Sequence, residues 1–145
     1  MKLAALVLSA FLALMLWSQS AVAQSQQKPE DLAQKSAEAW LVLTDSGKYA
    51  ESWDEAAQLF KSAVTKDKWL GALKSVRVPL GKLQSRKLLS ATYTKNLPGA
   101  PDGEYVVITY DTSFENMPAA VETITPMLDK DGKWRVSGYY IKPAS

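Results

Sequence analysis

The chain contains no cysteine and no histidine. The first absence excludes disulfides and cysteine nucleophiles. The second removes the commonest general base and metal ligand, and with it any Ser-His-Asp triad. A transition metal would have to be held by carboxylates alone, so no metal site is expected. A glycine-rich phosphate loop is missing too, and no cofactor is expected. Charge of one sign is also scarce: 17 basic side chains stand against 15 acidic ones. That balance gives no electrostatic footprint for nucleic acid, and the basic residues are not interleaved with aromatics as single-strand binders require.

Long hydrophobic runs are confined to the start, MKLAALVLSAFLALMLWSQSAVAQ. Lys2 supplies a positive n-region, Leu3 to Trp17 is uncharged and mostly apolar, and Ala21-Val22-Ala23 offers small residues for cleavage. The run is shorter than the ~18–20 residues that span a bilayer. A signal peptide over residues 1–23 is therefore expected, cleaved after Ala23, with no membrane segment afterwards and no cysteine for a lipid anchor. The expected location is periplasmic or secreted. Residues 24–30 form a polar leader, and residues 31–145 are long enough for one domain with a single core.

The first part of that domain has helical periodicity. Pro29, Glu30 and Asp31 make a favourable helix start, and Leu32, Ser36, Ala39, Trp40 and Leu43 then fall on one face. Gly47 is a stop. A second helix is expected to carry Trp53, Ala56, Ala57, Phe60 and Ala63 on one face. Thr65 caps a third, with Val64 and Trp69 placed as a hydrophobic staple and Trp69, Ala72, Leu73, Val76 and Leu80 as its stripe. After Gly81 the period becomes two. Strands are expected over 86–94, 104–114, 119–128 and 133–142, with Asp129-Lys130-Asp131-Gly132 as a tight hairpin turn. Pro126 belongs at a strand end or on an exposed edge. Three helices followed by four strands predict an α+β domain with the helices packed on a curved, four-stranded antiparallel meander.

The stretches AEAWLVLTDSGKYAESWDEAAQLFK, VTKDKW, VRVPLGKLQSRKL, PGAPDGEYVVITYDTSFE and ETITPMLDKDGKWRVSGYYI resemble, in order and spacing, the bacterial domain of unknown function 4019 family. The resemblance runs from about Asp31 to Ile141. It implies a nuclear-transport-factor-2-like, cystatin-like cone, in which a curved sheet wraps around helices and leaves a pocket at its open end. It implies no catalytic residues.

Two carboxylates lie within strands, Asp111 and Glu122. Alternation puts Val106, Ile108, Tyr110, Thr112 and Phe114 on the core face, so Asp111 should point away from it. Glu122 is expected to pair with Arg135 or Lys133 across strands. A ketosteroid-isomerase-like enzyme acting on a hydrophobic carbonyl compound would need one of these carboxyls buried with a raised pKa. Asp129 and Asp131 carry no calcium-loop pattern, because Tyr140 stands where the closing glutamate belongs. Arg77, Lys82, Arg86 and Lys87 gather at the helix-to-strand junction, where an anion could bind. Trp134, Val136, Gly138 and Tyr140 should share one strand face, closing the sheet on the helices. The first reading is a non-catalytic module, with Trp53, Tyr110 and Tyr140 as candidate ligand-binding residues for a small apolar ligand. The outer sheet face (Val107, Thr109, Val121, Thr123, Met127) suits a homodimer or a protein partner.

Overall fold

Pro29 opens helix α1 (Pro29–Asp45) at its first turn, where its missing N–H costs nothing, and Glu30 and Asp31 meet the positive end of the helix dipole. The computed structural model describes residues 26–145. The expected signal peptide lies outside the described residues. No helix among them is long and apolar enough to cross a membrane. Helix α1 ends in a Schellman motif: the Lys48 amide reaches the Leu43 carbonyl at 2.8 Å and the Gly47 amide reaches Thr44 at 3.3 Å. Its buried face is Ala33, Ala37, Trp40, Leu41 and Thr44, which turns Leu32 outward.

The stretch expected to be one helix is two. Helix α2 (Tyr49–Asp54) and helix α3 (Gln58–Ala63) are separated at Glu55-Ala56-Ala57, so the described residues hold four helices where three were expected. The break has a cause outside the segment: the Ala57 amide donates to the carbonyl of Val136 in the last strand at 2.8 Å. Ala56 and Ala57 are fully buried there. Helix α4 (Lys66–Leu80) starts as expected, with the Thr65 hydroxyl accepting from the Lys68 amide. Its buried face is Trp69, Leu73, Arg77 and Leu80. Arg77 thus takes the place expected for Val76, which is exposed.

Strands β1 (Leu83–Thr94), β2 (Tyr105–Phe114), β3 (Met117–Leu128) and β4 (Trp134–Pro143) pair antiparallel in the order 1-2-3-4, the expected meander. Helix α1 lies across all four. The alternation of β2 is as expected, with Val106, Ile108, Tyr110, Thr112 and Phe114 buried and Asp111 exposed. That of β4 is not. Gly138 opposes Thr125 and Val136 opposes Pro126, which leaves Ser137 as an extra residue in a bulge, its hydroxyl bonded to the Thr125 carbonyl at 2.7 Å. The bulge resets the parity, so Tyr139 and Ile141 pack inward and Tyr140 stands 57% exposed on the outer face. It also explains Pro126, which sits in an interior strand and not at an edge, because a bulge removes the need for its N–H.

Among the described residues, two clusters of buried apolar side chains stand out. The larger joins Trp40, Leu41, Trp69, Leu73, Val106, Ile108, Tyr110, Ile124 and Val136, with Trp53, Phe60 and Tyr139 packed on it. Trp40 meets Tyr139 edge-on at 5.2 Å, and Phe60 meets Trp69 likewise at 4.9 Å. The smaller contains Leu80, Phe114 and Ala120.

Two glycines of α4 and its end should respond with opposite sign. Gly81 has φ +74°, and an added Cβ would lie 2.9 Å from the Glu115 Cβ, so Gly81→Ala should cost about 1–3 kcal/mol. Gly71 is helical with open space around it, so Gly71→Ala should stabilise by about 0.5–1 kcal/mol. Urea denaturation of the two variants beside the parent measures both.

Candidate functional site

On the inner face of the sheet, three neighbouring strands each contribute a polar residue at a core position. Arg86 of β1 lies opposite Thr112 of β2, and Glu122 of β3 lies opposite Tyr110. Glu122 is completely buried. Its Oε1 accepts from Arg86 Nε and from Thr112 Oγ1, each at 2.7 Å. Its Oε2 accepts from Arg86 Nη2 at 3.1 Å and from the Tyr139 hydroxyl. The other edge of the Arg86 guanidinium holds Asp45, the last residue of α1, at 2.7 and 3.0 Å. Asp45 then accepts from Arg77 Nη2 of α4 at 3.0 Å, and Arg77 stacks over the Phe114 ring. Two carboxylates and two guanidiniums alternate, and the chain is neutral.

This arrangement replaces two expectations. Glu122 does not pair with Arg135 or Lys133, because its parity carries it inward to Arg86. Arg77 and Arg86 do not form an anion site with Lys82 and Lys87. Both guanidiniums are committed to carboxylates, while Lys87 sits opposite Asp111 on the outer face. The signal that could have found the pair was present: Ala120, Glu122 and Ile124 alternate as a core face with a charge in the middle.

The chemistry open to the chain is limited. Burial pushes the Glu122 carboxyl up, but the hydrogen bonds and charge of Arg86, with Tyr139 and Thr112, more than offset it and hold the carboxyl below the ordinary 4.5. Burial, with the Glu122 charge beside it, drives the Tyr139 phenol well above 10. Neither group exchanges a proton near neutrality, and both Glu122 oxygens are occupied.

The opposite end of the fold is open. A groove of ≈ 830 Å³ runs between the α2–α3 break, the loop before β2 and the β3–β4 hairpin, past Glu55, Leu59, Asp102, Tyr105 and Met127. A recess of ≈ 290 Å³ adjoins it through Glu55 and Arg135, with Trp40, Leu43 and Trp134 in its wall. The Asp129–Gly132 turn closes as expected, the Asp129 amide bonding Lys133 at 2.9 Å. Arg135 bridges Asp129 at 3.0 Å and Asp131 at 2.8 Å, and its hydrogen bonds hold the Asp131 carboxyl at about 2.

The three candidate ligand residues do not converge. Trp53 lies against the larger core cluster, its indole N–H donating to the Val64 carbonyl at 2.9 Å, with Lys61 and Lys66 over its ring. Tyr110 is buried under α1, its hydroxyl without a protein partner, and burial pushes its phenol to about 12. Tyr140 is on the outer face.

Residues 36–139 match the family model described as a protein of unknown function, DUF4019. The chain belongs to the DUF4019 family. None of the curated proteins matches it. The matched span of this DUF4019 domain starts within α1, at the residue whose hydroxyl bonds the Trp134 carbonyl at 2.7 Å, and ends at Tyr139. It therefore contains every member of the buried chain and the whole groove.

Removing the Glu122 charge should unbalance two arginines. Glu122→Gln is expected to lose about 3–5 kcal/mol in urea denaturation, because Arg86 and Arg77 are left to share Asp45. Asp111→Asn, on the exposed face, should change stability by less than about 0.5 kcal/mol.

Proposed function

We propose that this DUF4019 protein is an exported, non-catalytic binding module of the nuclear-transport-factor-2-like cone type, and that it takes a polypeptide partner in the groove at its open end. The export reading rests on Lys2, the apolar run to Trp17 and Ala21-Val22-Ala23. The cone reading rests on the order of helices then meander, with α1 laid across the inner face of the sheet.

The observation that carries the binding reading is the contrast between the two ends. The inner-face carboxylates and guanidiniums of the ionic chain are spent on one another, whereas the ≈ 830 Å³ groove faces solvent. Its wall mixes apolar Leu59, Tyr105 and Met127 with five carboxylates and three cations. A small apolar ligand favours an enclosed, mostly apolar cavity, while an open wall of this mixture suits a chain segment with both kinds of side chain. The isomerase alternative requires a carboxyl raised in pKa and facing a cavity, and Glu122 is shifted the other way.

Site-specific photo-crosslinking in the cell of origin tests the proposal. With the crosslinking residue at Gln58, in the groove wall, a discrete polypeptide adduct is expected. With it at Asp111, on the far face, none is expected. Adducts from neither position, or from both alike, would sink the proposal.

A further inference from the structure

The buried ionic chain also divides the core. On β3 it falls between Ile124 of the larger cluster and Ala120 of the smaller, and on β2 between Tyr110 and Phe114. We infer that this polar layer is an acid-sensitive seam, along which the smaller cluster and the α4–β1 junction open before the larger cluster does.

The groups that face the layer come from six elements. They are Asp45 of α1, Arg77 of α4, Arg86 of β1, Thr112 of β2, Glu122 of β3 and Tyr139 of β4. Glu38 of α1 adds its charge from outside, toward Tyr110. The chain has no histidine, and arginine stays charged at every relevant pH. The response to acid therefore belongs to Glu122. Asp45 and Arg86 keep 17% and 13% of their side chains in contact with water, so the layer has a solvent-facing end.

Protonating Glu122 leaves two guanidiniums to share the single carboxylate of Asp45. Arg77 is the worse placed: its side chain is 3% exposed, and its Nε and Nη1 already lack partners. An uncompensated buried cation costs about as much as the burial of a few apolar groups contributes, so it offsets what holds the smaller cluster closed. Arg77 sits in the last turn of α4, one turn from the Gly81 reversal, so it reaches water by releasing that turn. What this exposes is Leu80, Phe114 and Ala120, the smaller cluster. The larger one keeps its aromatic contacts among Trp40, Trp69, Phe60 and Tyr139.

The sign follows from linkage. Glu122 has its folded pKa below the ordinary 4.5, so its stabilisation is fully present above 4.5 and is lost as pH falls through the lower folded value.

Hydrogen exchange read by mass spectrometry at about pH 7 and about pH 3, corrected for intrinsic rates, tests the seam. Protection over residues 77–86 and 112–122 should fall at least about tenfold in acid, with residues 33–44 still protected. The Glu122→Gln variant should open the same segments at neutral pH. Asp45→Asn provides the same reading if Glu122→Gln does not fold. Loss of protection everywhere together, or no change in either segment, would overturn the inference.

Discussion

The bidentate contact between Arg86 and Glu122 is the constraint on which the rest of the inner face depends. A fully buried carboxylate is expensive to hold unless each oxygen has donors, and here Arg86, Thr112 and Tyr139 supply them. Because Arg86 has a second edge, the same guanidinium also fixes Asp45, and Asp45 fixes Arg77. One ionic chain thereby ties the end of α1, the last turn of α4 and strands β1 and β3, with Tyr139 of β4 joined through its hydroxyl. Helices that pack by apolar contact alone can slide, whereas an alternating charge chain has one register. Such chains are weak evidence for net stability, since an apolar layer of equal volume can be as favourable. Their consequence here is geometric, in setting where α1 and α4 end over the sheet.

The chain also bears on function by elimination of one kind of chemistry. A buried glutamate beside a tyrosine on the inner face of a curved sheet is the arrangement from which acid–base catalysis could be built. Catalysis would need that carboxyl released, poised near neutrality and facing substrate. In this DUF4019 domain it is saturated and lowered instead. The accessible space lies at the other end, where the break between α2 and α3 and the β3–β4 hairpin border the groove. The break is itself produced by the Ala57–Val136 hydrogen bond, so the sheet edge shapes the opening.

Much of this architecture was legible in the sequence because its signals are local. Thr65 as a cap, Gly47 and Gly81 as stops, the alternation of β2 and the Asp131-Gly132 turn each depend on neighbours within a few residues. The meander followed from short connections between strands. What was not legible depends on distant partners. Glu122 and Arg86 are 36 positions apart, and the nearer Arg135 offered a false pairing. The α2–α3 break is set by an acceptor on β4. A glycine inside a strand, here Gly138, is a common mark of a bulge, but nothing local says that the extra residue is Ser137, which exchanges Tyr140 for Tyr139 on the inner face. The three candidate ligand residues therefore scattered, and the residues lining the open-end groove were missed, because its wall gathers them from three separate segments.

The most direct measurement is the ionisation of Glu122 itself. Carbon-13 labelling of the glutamate side chains and an NMR titration through the acid range would give the carboxyl its own curve, assigned by loss of the signal in Glu122→Gln. A midpoint below the ordinary 4.5 is the result expected of a carboxylate held by Arg86. A midpoint well above it would contradict the account, because a carboxyl poised to take up a proton is a candidate base and not a structural tie.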